Sequence, residues 1–196
     1  ISIDIDKDIS AQLLIEVDGN DLKSLYLDCE KISEVLEKFS CKNILIADSA
    51  SEKDNLWRLR RLIAESVKSH SVYKEEDTVV PRAELPKLLN GVKKIGSKYG
   101  FQSVCYGHAG DGNLHVNIIK GEMKDDFWNN EIPKAIREIF ELTRKLNGTI
   151  SGEHGIGLVQ KDYLDIVFSR KSLDIQKGIK NLFDPNNILN PGKIFN

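Results

Sequence analysis

The hydrophobic and polar positions of the chain follow two periods, one typical of strands and one typical of helices. Residues 12–17 form a short apolar run that ends in a turn cluster at 18–20, and apolar residues then recur at helical spacing from Leu22 to Phe39. Residues 43–47 repeat the strand pattern, and a second helical pattern runs through Trp57 to about Lys68. This part of the chain is predicted to have the order β-α-β-α.

The rest of the pattern adds further strands and helices. An extended stretch at 78–81 leads into a third helix, from Leu85 past Ile95, which Gly100 ends. Two strands flank a glycine cluster, and a long helix is predicted from Asp125 to about Leu146 and a last one from Ser172 to Phe183. Hairpin-linked strands with helices on one side predict an α+β fold, with a ferredoxin-like antiparallel sheet and a C-terminal helical extension.

Composition narrows the class of protein. The 196 residues are 40% hydrophobic, which suffices for one sizeable core, so we expect one domain over 1–196. The 28 basic and 30 acidic residues are interspersed, which argues against a nucleic-acid partner. Three widely spaced cysteines, with neither a signal peptide nor a membrane span in the pattern, predict a cytoplasmic protein. The start at Ile1 rather than Met suggests a piece of a longer polypeptide.

Glycine and histidine are concentrated in two segments, which makes these segments the candidate site. Residues 106–117 (Tyr-Gly-His-Ala-Gly-Asp-Gly-Asn-Leu-His-Val-Asn) and 151–157 (Ser-Gly-Glu-His-Gly-Ile-Gly) hold three of the four histidines and six of the fourteen glycines. Glycine weakens strands and helices, so its clustering is typical of places where the backbone turns tightly and side chains converge.

The first segment can place two histidines on one sheet face. Polar and apolar residues alternate over 113–118, which puts His115 and Asn117 on one face and the core residues on the other. With 110–111 at the centre of a hairpin turn, His108 lies diagonal to His115, about 7–8 Å away at the Cα atoms. That separation is short enough for two imidazoles to share a metal ion.

Two histidines and a carboxylate are a common set of ligands for a divalent metal, and Glu153 is the candidate third ligand. Three protein ligands leave a position open for a substrate hydroxyl, and His154 is then a candidate general base. The spacing also allows hydrogen-bonded structural histidines and an ordinary loop at 153–154, so both interpretations stay open.

Charged residues elsewhere also allow more than one interpretation. Arg60 lies on the second helical pattern between Arg58 and Arg61, which predicts either a solvated basic face or a guanidinium group that binds a substrate carboxylate. The charge run over 74–77 is predicted to be an exposed loop.

Three separated motifs carry a resemblance to a known family. They are residues 107–115, residues 151–157 and the closing segment 183–195, Phe-Asp-Pro-Asn-Asn-Ile-Leu-Asn-Pro-Gly-Lys-Ile-Phe. In this order they resemble the C-terminal domain of FAD-linked 2-hydroxy-acid oxidases and dehydrogenases, which include the flavin subunit of glycolate oxidase, D-lactate dehydrogenases and D-2-hydroxyglutarate dehydrogenase. The resemblance covers at least Trp57 to the C-terminus.

The resemblance implies that this chain is the substrate, or cap, domain of a flavoprotein. The FAD-binding domain of the same polypeptide is then expected to lie upstream, outside this chain, since no glycine-rich phosphate loop is visible in it. An iron-sulfur or other electron-acceptor subunit and a peripheral association with the membrane are further implied features of the full complex.

The resemblance also assigns roles to individual residues. It implies a divalent metal, usually zinc, bound by His108, His115 and Glu153. It implies that the 2-hydroxy acid contacts Arg60, Asn117 and His154. Of these, His154 is the implied base. Contacts to FAD are implied for Asn190 and Lys193.

Two positions depart from the hydroxyglutarate branch of that family. Ala64 stands in place of a Thr, and Glu75 stands in place of a Lys, although Lys74 is adjacent. Residues 76–82 are more similar to the glycolate and lactate branches, which favours a small monocarboxylate. The expected reaction is oxidation of a D-2-hydroxy acid to the 2-oxo acid with hydride transfer to FAD.

Two other functions remain open from the residues themselves. The first is a non-catalytic metal-binding or small-molecule-sensing module. The second is a self-contained metal-dependent hydrolase, which needs a water molecule on the metal but no flavin.

Overall fold

The computed structural model describes residues 9–39 and 41–195. The chain divides into two compact units, Ile1–Ser66 and Val67–Asn196.

The first unit contains the first predicted helix and most of the second. Helix α1 spans Leu22–Glu37, and α2, Ala50–His70, begins in this unit. At the start of α2, the Glu52 amide donates to the Ser49 hydroxyl at 3.2 Å, and the Ser49 amide donates to the Glu52 carboxylate, also at 3.2 Å. This reciprocal capping satisfies amide groups that have no partner within the helix.

The two strands predicted in the first unit are wrong. Residues 12–17 and 43–47 form no strand, and several of their apolar side chains, including Leu13 and Ile46, are more than 60% exposed. A strand exists only when a neighbouring strand pairs with its backbone, and an apolar pattern cannot supply that partner.

The second unit is built on a three-stranded antiparallel sheet. Strands β1 (Tyr73–Val79), β2 (Gln102–Tyr106) and β3 (Asn113–Ile119) lie in the order β1-β3-β2, so β3 is central. The predicted exposed loop at 74–77 is therefore wrong, because these residues are part of β1 and some of their side chains are fully buried.

Helices cover one face of this sheet. Helix α3 spans Leu85–Tyr99 and ends at Gly100, whose φ of 72° is the left-handed conformation that glycine adopts readily. The apolar face of β3 joins α3 and the helix after β3 in one core, whose buried members from these elements are Leu88, Val92, Leu114, Val116, Ile118, Ile132, Ala135, Ile136, Ile139 and Phe140.

The long helix predicted after β3 is broken in two. Helix α4 spans Asp125–Asn130 and α5 spans Ile132–Lys145, with Glu131 between them at φ −97°. Pro133, at the start of α5, has no amide hydrogen to donate back into α4, so the hydrogen-bonding pattern stops and restarts at this point.

After α5 the chain returns to the free edge of β1. Val79 and Thr149 exchange two backbone hydrogen bonds of 3.1 and 2.9 Å in an isolated antiparallel bridge. This bridge stands where the last strand of a β-α-β-β-α-β arrangement would pair. The α+β prediction, with an antiparallel sheet and helices on one side, is confirmed.

The predicted C-terminal helical extension follows. A 3-10 turn at Lys161–Tyr163 leads into α6 (Leu164–Val167) and α7 (Arg170–Phe183). The tail then contacts its own unit, since the Ile194 amide donates to the Gly157 carbonyl at 2.8 Å. None of the described helices has the length and apolar character needed to cross a bilayer.

Candidate functional site

The hairpin between β2 and β3 forms the first part of the site. His108 and Asn113 exchange two backbone hydrogen bonds of 3.2 Å each, which confirms the predicted pairing. Tyr106 pairs with His115 in the same register, so His108 and His115 lie diagonally on one face. Gly112, at φ 73°, lets the loop pass close to β1, because a Cβ atom there would lie 1.9 Å from the Val80 carbonyl oxygen.

The polar face of β3 is buried but incompletely hydrogen-bonded. Asn113, His115 and Asn117 are 2%, 6% and 0% exposed. Within the described residues, Asn113 Oδ1, His115 Nδ1 and Asn117 Oδ1 have no hydrogen-bond partner. Buried polar atoms nearly always have partners, so water, an ion or a polar ligand is expected to satisfy these three atoms.

Asp77 on β1 holds the second glycine-rich segment against this face. Its Oδ2 atom accepts hydrogen bonds from the amides of Gly152, Glu153 and His154, at 2.9, 2.7 and 2.9 Å. Its Oδ1 atom accepts from the Asn113 side chain at 2.7 Å. Burial raises the pKa of Asp77, but these hydrogen bonds outweigh burial and hold its pKa below the usual value.

Asp77 was not predicted as a site residue, although it pairs directly with His115 across the sheet. Gly152 is equally constrained, because a Cβ atom there would lie 2.5 Å from Val79 Cγ2 and 2.7 Å from Asn113 Nδ2. The segment thus packs closely on β1 and β3, with the side chains of Glu153 and His154 exposed beside them.

The histidines and carboxylates form two groups. His108 Nε2 lies 3.7 Å from Glu153 Oε1, and both side chains are half-exposed. His115 lies beside His154, with 4.9 Å between ring centroids, and its Nδ1 atom is 3.4 Å from Glu75 Oε1. The predicted ligands His108 and Glu153 are therefore together, while His115 contacts Glu75 and His154.

Glu75 was expected only as a departure from the hydroxyglutarate branch, not as a neighbour of His115. One atom from each of Glu75, His115 and His154 lies within 4.8 Å of the others, and imidazole and carboxylate groups are donors that suit a divalent metal. The sequence feature that indicates this position is the alternation of side chains along a strand, which puts Glu75 and Asp77 on one face of β1. Lys74 is on the opposite face, with its Nζ atom 5.4 Å from the ring centroid of Trp128.

The remaining predicted residues lie elsewhere in the chain. Arg60 is on α2 in the first unit and is half-buried, whereas its neighbours Arg58 and Arg61 are exposed. Asn190 and Lys193 form an exposed turn, in which the Lys193 amide donates to the Asn190 carbonyl at 3.2 Å. Their assigned contacts to substrate and FAD stay predictions.

A family model described as "FAD linked oxidases, C-terminal domain" matches residues 2–194. The chain belongs to this family. The match agrees with the resemblance of the glycine-rich motifs and the closing segment.

Curated relatives of this FAD-linked oxidase domain act on different hydroxy acids. It is 34% identical to a D-lactate dehydrogenase of Anaerostipes hadrus over 95% of the chain and 40% of that protein. It is 39% identical to a D-2-hydroxyglutarate dehydrogenase of Stutzerimonas stutzeri over 77% of the chain and 33% of that protein. It is 36% identical to glycolate oxidase subunit GlcD of Bacillus subtilis over 94% of the chain and 39% of that protein. The chain thus spans two fifths of these relatives or less.

Proposed function

We propose that this chain is the substrate-binding domain of a flavoprotein that oxidises a D-2-hydroxy acid to the 2-oxo acid. The observation that carries the proposal is the row of buried polar atoms without partners on β3, which lies beside His154 and Glu75. The hydroxyl of such a substrate can donate a hydrogen bond to an amide oxygen of this row.

Each residue has a distinct role in this proposal. Arg60 binds the substrate carboxylate, since a guanidinium group can pair with both of its oxygens. The Asn117 amide orients the substrate, and His154 takes the hydroxyl proton. A divalent ion held by His108, His115 and Glu153 would favour loss of that proton, as Lewis acids do for bound hydroxyl groups.

FAD supplies the redox chemistry when bound, because its isoalloxazine ring accepts the hydride from the substrate Cα. We assign contacts with FAD to the turn that contains Asn190 and Lys193, which is exposed and carries an ammonium group suited to a pyrophosphate. The proposed partner is a FAD-binding domain of the same polypeptide. An iron-sulfur or other electron acceptor, and a cytoplasmic location at the membrane periphery, belong to the same proposal.

The charges on β1 favour a monocarboxylate such as glycolate or D-lactate. Glu75 brings a carboxylate to the polar face, next to His115, and Lys74 contacts Trp128 on the other face. A second carboxylate on the substrate would meet like charge there, which is unfavourable. The proposed order of preference is therefore D-lactate or glycolate over D-2-hydroxyglutarate.

The test is anaerobic reduction of the flavin in the complete protein that carries this chain. D-lactate or glycolate should bleach the flavin faster than D-2-hydroxyglutarate. A self-contained hydrolase or a sensing module would leave the flavin oxidised with all three compounds, which would contradict the proposal.

Two variants separate binding from chemistry in the same protein. Arg60→Ala should raise KM about 10- to 100-fold, because a charge-assisted contact to the carboxylate is lost. His154→Ala should lower kcat about 100- to 10,000-fold, because the proton acceptor is lost. Arg58→Ala, an exposed neighbour on α2, is the control. Equal changes in KM in Arg60→Ala and Arg58→Ala would contradict the proposed role of Arg60.

A further inference from the structure

Glu75 and His115 meet on the polar face of the sheet. Glu75 pairs with Asn117 across β1 and β3, which places it diagonal to His115 on the same face. The distance from Glu75 Oε1 to His115 Nδ1 is 3.4 Å, a few tenths of an ångström beyond an ordinary N–H···O hydrogen bond. A small side-chain rotation closes that gap.

The His115 ring also packs against two other rings. Its centroid lies 5.6 Å from the Tyr106 ring and 4.9 Å from the His154 ring, and its side chain is only 7% exposed. The Nδ1 atom has no hydrogen-bond partner among the described residues. A buried ring nitrogen left in that state destabilises the site, and the Glu75 carboxylate is the acceptor beside it.

Other carboxylates on this face are already engaged. Asp77 accepts three backbone amides of the 152–154 segment and the Asn113 side chain. Glu153 lies beside His108. Glu75 is thus the carboxylate that His115 meets in the described structure.

We propose that Glu75 is a positioning residue for His115. Its carboxylate accepts the Nδ1 proton in a hydrogen bond and so fixes the imidazole tautomer in which Nε2 carries a lone pair. Nε2, on the other side of the ring from Nδ1, is then the nitrogen that would bind a divalent ion. Carboxylates that hold metal-binding histidines in this way raise ligand basicity and metal affinity. The inference rests on the proposed function in that His115 is a metal ligand.

The experiment measures zinc affinity of the complete protein by competition with a chromophoric chelator, together with zinc content by elemental analysis. Glu75→Ala should weaken zinc binding about 10- to 100-fold. Glu75→Gln should recover part of this loss, since its amide oxygen still accepts a hydrogen bond. Glu153→Gln, which removes a proposed ligand, should cost more than either, and Glu141→Ala, on the exposed surface of α5, is the control.

Each alternative outcome overturns the positioning role. Loss of zinc in Glu75→Gln as complete as in Glu153→Gln would make Glu75 a direct ligand together with His115 and His154. Unchanged zinc affinity in Glu75→Ala would show that the two side chains are not coupled. Absence of zinc binding in the unmodified protein would also overturn it. Flavin reduction by hydroxy acids is measured without reference to zinc affinity, so the proposed function is tested separately from the role of Glu75.

Discussion

The Glu76 carboxyl is an ionisable group inside the apolar core. It follows Glu75 on β1, and alternation turns it to the opposite face, where it is 1% exposed. Burial raises the pKa of Glu76 to about 8, despite a hydrogen bond from Gln160. One of its oxygens has no partner among the described residues. At neutral pH the folded chain therefore holds this carboxyl mostly in its neutral form.

This pKa makes the stability contributed by Glu76 depend on pH. In the unfolded chain the group titrates near its ordinary value of 4.5, so between that pH and about 8 the folded state binds the extra proton. The contribution of this group to stability then falls as pH rises, by about 1.4 kcal/mol for each pH unit in that window. Glu76→Gln removes the dependence, so its stability relative to the unmodified chain should be higher at pH 8 than at pH 5.

Denaturant unfolding at both pH values checks this prediction, with Glu141→Gln, an exposed carboxylate on α5, as the matched control. The same pH dependence of stability in Glu76→Gln and in the unmodified chain would mean that Glu76 is charged in the folded state.

At the scale of elements, the 151–155 segment depends on glycine at one position. A Cβ atom on Gly152 would overlap Val79 and the Asn113 amide, so Gly152→Ala should push the segment away from Asp77. We expect a loss of about 1–3 kcal/mol in stability and about 10- to 100-fold in turnover of the complete protein. The control is Gly110→Ala, where the added Cβ would have no atom within 4 Å. Similar turnover in the two variants would show that the segment tolerates displacement.

Elements that depend on local sequence could be predicted, and those that depend on distant partners could not. Helical spacing located α1, α2, α3 and α7, and the glycines around 110–112 gave the correct pairing of His108 with Asn113. The strands expected at 12–17 and 43–47 failed because pairing is not local. The start of β1 was missed because buried Glu76 breaks the usual alternation of polar and apolar residues.

The site was predictable only in part for the same reason. The histidines and Glu153 belong to compact motifs, whereas Glu75 and Asp77 contribute through strand register with β3. A run of charged residues such as 74–77 predicts a solvent-exposed segment when the strand that pairs with it is not known. The signal that could have found them is their spacing of two, which puts both carboxylates on one face of a strand.

At the scale of the whole molecule, the second unit carries a core of its own. All buried members of its main apolar cluster lie between Val80 and Ile150. A fragment of residues 67–196 should therefore fold without the first unit and unfold in one cooperative transition. Thermal unfolding followed by circular dichroism in the near and far ultraviolet tests this. A gradual transition without near-ultraviolet signal would show that its core needs the rest of the chain.

The hydrogen bonds from Asp77 have a consequence for the order of folding. His108 and His115 lie on one hairpin, a local structure that closes within microseconds. The His154 amide, in contrast, binds a carboxylate 77 positions earlier in the chain. Closing so long a loop is entropically costly and requires the sheet and α5 to be in place first. The proposed proton acceptor is therefore expected to be placed last, so partly folded chains should form the histidine hairpin before His154 is in position.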